Sequence, residues 1–262
     1  MKKVKKSETA PPTLEQYFFD NPTKVWEDFA KGNKNRYKKV VAQLKIDQGG
    51  ICCYCENNFH NQIDKEGDFR VEHFHPKSDV TTSVNWNLIW TNLLGCCCGG
   101  NQNISNPDFL RKRYISNHEE RHCDVLKDDN IWDDIILNPL DIPAFPPIFK
   151  VLESTGEMRV IEGNCTLAGV DIDKANNCLD EEKLNLNSKH LKKWRKEVID
   201  ILASEIEKEF ILTGEFEASV LMVASAHLEK EQDENYEAFF STIRSYLGAD
   251  AEMILKAINY DG

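Results

Sequence analysis

Apolar positions recur at helical spacing through two early stretches, Leu14 to Lys31 and Lys34 to Asp47, the second placing Tyr37, Val40, Val41 and Leu44 on one face. Gly49-Gly50 ends that second helix, because glycine enters the left-handed conformation without a Cβ penalty. Phe69 to Phe74 alternates and predicts a short strand, and Trp86 to Trp90 leads through Thr91-Asn92 toward a run of cysteines. Four prolines between Pro139 and Pro147 predict an extended linker. Phe149 to Glu153 and Met158 to Ile161 flank Ser154-Thr155-Gly156 as a hairpin. Asn187-Ser188 then caps a long helix striped by Leu191, Trp194, Val198, Leu202, Ile206 and Phe210, and further helices follow, one of them Tyr236 to Leu247.

Composition narrows the class. In 262 residues, 41% hydrophobic and 29% charged, with a mean hydropathy of -0.51, there is enough apolar material for a sizeable core and too much charge for a membrane protein. The longest uncharged apolar run, Ala218 to Ala226, is far below the roughly 20 residues that span a bilayer. The lysine-rich start continues into Pro11, Pro12 and Glu15 without an apolar segment, so no secretory signal and a cytoplasmic location are expected. Net charge is -12, with residues 1 to 50 basic and the rest acidic. An acidic chain gains little from counterion release on nucleic acid, so a nucleic-acid substrate implies a helper.

Seven of the nine cysteines cluster, as Cys52-Cys53-Tyr54-Cys55, Cys96-Cys97-Cys98 and Cys123. In a reducing compartment that grouping favours metal ligation over disulfides. Cys52 and Cys55 have the spacing that lets two thiolates reach one tetrahedral Zn2+ from a tight turn. Three residues beyond Cys97 stands Gly100, so the second pair is irregular: Cys97 or Cys98 supplies one ligand and His122 or Cys123 the other. Cys53, Cys96, Cys165 and Cys178 read as buried small hydrophobes.

The remaining chemistry lies in Val71-Glu72-His73-Phe74-His75-Pro76-Lys77-Ser78, then Asn92-Leu93-Leu94, then Cys97-Cys98-Gly99-Gly100-Asn101. A carboxylate beside a histidine, a central asparagine and a third polar ligand, framed by thiol clusters, resemble the HNH or ββα-metal nuclease motif. The resemblance makes His73 the general base. Glu72 and Asn101 become the oxygen ligands of a catalytic Mg2+ or Mn2+, and Asn92 the residue that holds the loop aiming His73. The run Gly50 to Glu56, the Glu72 to Ser78 run, His122-Cys123-Asp124 before Leu137-Asn138-Pro139, and Leu184 to Asn187 followed by Leu191 and Arg195 carry the likeness further. Over roughly residues 35 to 200 the chain is similar to the retron-associated HNH endonucleases, a family that includes PtuB of Septu-type antiphage systems.

That likeness implies an α+β fold: a small ββα-metal unit with a structural zinc site, embedded in N- and C-terminal helices. The expected segments are an N-terminal helical region at 1–49, the nuclease unit at 50–138, a linker and hairpin at 139–187, and a partner-binding helical region at 188–262. The implied partners are DNA first and RNA second, an ABC- or SMC-type ATPase like PtuA, and a retron reverse transcriptase with its noncoding RNA. At His75, where relatives carry arginine, the reading leaves either a phosphate contact or a structural residue. A zinc-stabilised binding module without hydrolysis and a structural adaptor are the competing classes.

Overall fold

The computed structural model describes residues 1–59, 68–101, 115–229 and 235–262. It is an α+β arrangement in which two separate antiparallel hairpins are surrounded by helices. At the N-terminal end lie α1 (Pro12–Asp20), α2 (Trp26–Gly32) and α3 (Lys34–Gln48). The single helix expected over Leu14 to Lys31 is two, because Pro22 has no amide proton and disfavours helical backbone at Asn21, which terminates α1. Asn33 caps α3 by accepting from the Asn35 and Arg36 amides, and Gly49 ends it at φ 63°.

Strands β1 (Arg70–His73) and β2 (Leu93–Cys96) pair in the register Arg70↔Cys96, Val71↔Gly95, Glu72↔Leu94, His73↔Leu93. The Gln48 side chain docks α3 on this hairpin, donating to the Ile51 and Gly95 carbonyls and accepting from the Gly95 amide. The stretch expected to supply the helix of a ββα unit, 102–114, lies outside the described residues. Leu14, Phe29, Val40 and Leu44 from the first helices bury themselves against Leu88, Trp90 and Leu93, forming one small core behind the hairpin.

The proline-rich stretch is irregular but packed rather than loose: Ile142 is buried in the main core, and the Ala144 carbonyl accepts from Arg244. Beyond it, β3 (Phe149–Val151) and β4 (Met158–Val160) form the expected hairpin, followed by α4 (Glu162–Ala168) and α5 (Ile172–Leu179). The long helix α6 (Lys189–Thr213) is capped by the Ser188 hydroxyl. It packs on α7 (Phe216–Leu228) and α8 (Phe240–Ala257), the last kinked at Gly248. Helix α8 begins four residues later than the pattern suggests, because residues 236 and 239 bond outward: the Tyr236 amide to the Gly49 carbonyl and the Phe239 amide to the Glu56 carbonyl. Among the described residues no helix is long and apolar enough to cross a membrane.

Candidate active site and metal centre

Side chains alternate across a strand, so the neighbours Glu72 and His73 face opposite sides of β1. His73 turns toward α2, where its ring meets the Trp26 indole edge-on at 5.3 Å. Its Nε2 lies 3.1 Å from the Asn87 carbonyl oxygen. A carbonyl only accepts, so the proton sits on Nε2 and the lone pair on Nδ1. Among the described residues Nδ1 has no hydrogen-bond partner. Burial drives the His73 pKa down to about 4, helped by the nearby positive charges of Lys77 and Lys127 and opposed by the Asn87 carbonyl. At neutral pH the ring is therefore an uncharged acceptor.

Asn92 holds the loop that carries this geometry. Its Oδ1 accepts from the His75 amide at 2.7 Å, while its Nδ2 donates to the His75 and Trp86 carbonyls, each at 2.9 Å. One buried amide thus ties the chain after β1 to the chain before β2. Asn87 reinforces it, donating to the Lys77 carbonyl and accepting from the Trp26 amide. His75 stacks on Trp86 at 4.1 Å, with Nδ1 2.9 Å from Asp133 and Nε2 2.9 Å from Asp79. It forms one wall of a cleft of about 690 Å³ that also takes in Asn92, Asp133, Asn138 and Lys174.

On the other face of β1, the Glu72 carboxylate accepts from the Lys127 ammonium at 2.9 Å and the Tyr54 hydroxyl at 3.3 Å. Lys127 also donates to the His73 carbonyl at 2.9 Å. Asp124 lies close by, paired with Arg70; burial, with the Glu72 charge behind it, pushes its carboxyl well above the usual range. Asn101 is exposed at the start of the segment outside the described residues, and its Oδ1 accepts from Arg121 at 2.8 Å. Both are hard oxygens of the type a divalent cation takes, and each is occupied by a cationic side chain of this protein. Glu72 belongs to no set of three or more mutually close His, Cys, Asp or Glu donors among the described residues.

The thiols do assemble. Two buried sets, Cys52, Cys96, Cys97 and Cys123, and Cys55, Cys97, His122 and Cys123, each place four donor atoms within 4.8 Å of one another. Nearest separations are 3.6 Å for Cys55 to Cys97, 3.7 Å for Cys97 to Cys123, 3.8 Å for Cys52 to Cys96 and 3.9 Å for Cys52 to Cys123. Zn–S bonds near 2.3 Å give a tetrahedron with edges of about 3.8 Å, so these donors fit zinc. The turn after β2 is shaped for it: the Gly99 amide points at Cys97 Sγ, 3.4 Å away, and the Cys97 amide at Cys52 Sγ, 3.3 Å away. A Cβ at Gly99, at φ 54°, would collide with the His122 carbonyl, so glycine lets the His122-Cys123 segment close over the thiols.

Cys98 lies in neither set; its amide binds Asp68, and burial pushes its thiol up. Cys96, read from sequence as a neutral core thiol, is in the first set. The fully buried Arg195 donates to the Gly156 and Leu186 carbonyls, and among the described residues no carboxylate hydrogen-bonds it; burial lowers its pKa to about 10, opposed by Glu56 and the ionisable thiols Cys55 and Cys123. Sequence reasoning also missed Lys127, the Asn87 carbonyl and Trp26. Lys127 had a signal in principle, as a lysine next to an apolar residue four positions past Cys123, but nothing marked it as buried.

No family model matches the chain. A curated protein of Escherichia coli, "Retron Ec83 putative HNH endonuclease", is 28% identical to it over 187 residues, covering 68% of this chain and 72% of the relative.

Proposed function

We propose that this protein is a metal-dependent HNH endonuclease, a hydrolase of nucleic-acid phosphodiester bonds. The observation that carries the reading is His73: a neutral imidazole whose Nε2 proton is fixed by the Asn87 carbonyl, leaving Nδ1 as a base at the end of β1, next to the loop that Asn92 holds. The likeness to a named retron HNH endonuclease supports a nuclease role independently. In this mechanism His73 Nδ1 takes a proton from a water whose oxygen attacks phosphorus in line. The bond to the 3′ oxygen breaks, and that oxygen leaves with a proton from solvent. A Mg2+ or Mn2+ on Glu72 and Asn101 would neutralise charge on the phosphate and the departing oxygen. To admit it, Glu72, which faces the other side of β1 from His73, must leave the Lys127 ammonium and come round to the phosphate, and Asn101 must leave the Arg121 guanidinium. Asn92 acts by position, and the thiol centre by stabilising the fold with structural Zn2+.

The same reading extends to partners. By the resemblance in its motifs, the chain serves as the effector of an antiphage complex, Septu-like or retron-borne, beside an ABC- or SMC-type ATPase and, in the retron case, a reverse transcriptase with its RNA. DNA is the first substrate expected and RNA the second.

The test is to incubate the wild type and His73→Ala with plasmid DNA and with RNA in Mg2+ or Mn2+, alone and with the ATPase of a neighbouring gene. Loss of on the order of 10²- to 10⁴-fold in rate is expected for the variant. Because the His73 pKa is about 4, the acid limb of the pH–rate profile should lie near there rather than at the ordinary value of about 6.5. Equal cleavage by both proteins would remove His73 from the chemistry. One observation favours a second reading, a zinc-stabilised binding module without hydrolysis: both proposed metal ligands are engaged by Lys127 and Arg121. That reading predicts nucleic-acid binding that survives His73→Ala, and no metal-dependent cleavage by either protein.

A further inference from the structure

We propose that the thiol centre holds two zinc ions, in two tetrahedra that share Cys97 and Cys123 as bridging ligands. The two donor sets overlap in those two thiols, which lie 3.7 Å apart. The knuckle cysteines are divided between the two sets: Cys52 belongs with Cys96, and Cys55 with His122. A single ion chelated in the usual way by a C-x2-C knuckle would draw Cys52 and Cys55 into one set. Six donors are what two four-coordinate ions need when two ligands bridge, and six is the number the two sets contain.

All six are buried, so whichever donors a single ion left over would have to be satisfied away from water. His122 has a fully buried Nδ1 without a partner among the described residues, and its Nε2 stands 4.0 Å from Cys97 Sγ. Charge is also consistent. Five thiolates and a neutral imidazole around two divalent ions leave one negative charge, and the buried Arg195, hydrogen-bonded to no carboxylate among the described residues, supplies one positive charge close enough to Cys55 and Cys123 to sense theirs. Each thiol gives its proton to solvent as zinc binds. When Cys96 does so it gives up its 3.2 Å hydrogen bond to Asp124, which keeps its Arg70 partner. Nothing here depends on the nuclease reading.

The experiment is metal counting on the full chain. The protein is reconstituted with excess Zn2+, freed of loose metal by gel filtration, and analysed by native mass spectrometry and elemental analysis. Two zinc ions per wild-type chain are expected, and one each in Cys96→Ser and His122→Ala, whose fold is checked by circular dichroism. Titration with Co2+ supplies a readout that needs no variant: the thiolate charge-transfer band should saturate at two equivalents. X-ray absorption should then show a metal–metal vector of no more than about 4 Å. One zinc per wild-type chain would overturn the proposal. So would two equivalents without a metal–metal vector, or iron with inorganic sulfide in place of zinc.

Discussion

Lys127 is the residue whose removal should be felt most sharply. Its side chain is 1% exposed and its ammonium spans the Glu72 carboxylate and the His73 carbonyl, so it sets a fixed charge between the two central residues of the motif. Lys127→Met leaves Glu72 buried with only the Tyr54 hydroxyl among the described residues, and breaking a buried pair from one side costs about 3–5 kcal/mol. The double variant Lys127→Met/Glu72→Gln removes the stranded charge and should recover most of that loss. Urea midpoints of the two variants test this; equal destabilisation would mean the pair is not coupled. Much of the site could be read from the chain at this scale. Glu72, His73, Asn92 and the first knuckle announce themselves through residue type and spacing. Lys127 and the Asn87 carbonyl do not, because an ion pair 55 residues apart and a backbone acceptor leave no local signature. The sequence reading takes Cys98 as a ligand candidate and Cys96 as a core thiol, whereas the donor sets contain Cys96 and not Cys98, for a related reason: which thiol of a consecutive triplet faces inward depends on where β2 ends and the turn begins, and β2 ends at Cys96.

Elements follow the periodicity where burial on one face is strong, as in α3 and α6, and depart from it where backbone chemistry overrides, as at Pro22. What periodicity could not show is how the C-terminal helices are fastened together. His227 on α7 does this, with Nε2 2.5 Å from Glu205 on α6 and Nδ1 2.8 Å from Glu237 before α8. Two carboxylate partners require two ring protons, so the fastening is complete only in the charged imidazolium. The Glu237 hydrogen bond, and that of Glu205, raise the His227 pKa to about 9 against the opposing effect of burial. The folded value exceeds the unfolded one of about 6.5, so this contribution is full below pH 6.5 and disappears as pH rises through 9. Thermal unfolding should accordingly fall between pH 6.5 and 9.5 in the wild type by more than in His227→Gln. Parallel profiles for the two proteins would show that His227 contributes no such linkage.

At the scale of the whole molecule, the C-terminal helices share a core with the Cys52–Cys55 turn. Ile51, the residue before Cys52, packs among Leu202, Ile206, Phe240 and Ile243. The Glu56 carboxylate, one residue past Cys55, accepts from the Ser241 amide at 2.7 Å and its hydroxyl at 2.6 Å. The main core likewise runs from Cys52 and Phe59 through Leu184 and Leu186 to Leu191 and Ile199. A chain ending at residue 187 would therefore expose Ile51, take both Ser241 donors from Glu56 and leave it only the Met1 ammonium among its described partners, and lose the Arg195 charge that Cys55 and Cys123 sense. Such a fragment should bind zinc more weakly than the full chain, take up a hydrophobic dye, and melt without a sharp transition. A strong chelator should abolish the cooperative melt of the full chain and change the fragment little, since the fragment has little zinc-dependent structure to lose. The opposite outcome, a fragment that melts cooperatively and keeps its zinc, would make residues 188–262 an appended module. Knuckle, hairpin and final helices would then be stable separately, and the contacts of Ile51 and Glu56 would be docking contacts rather than parts of one folding unit.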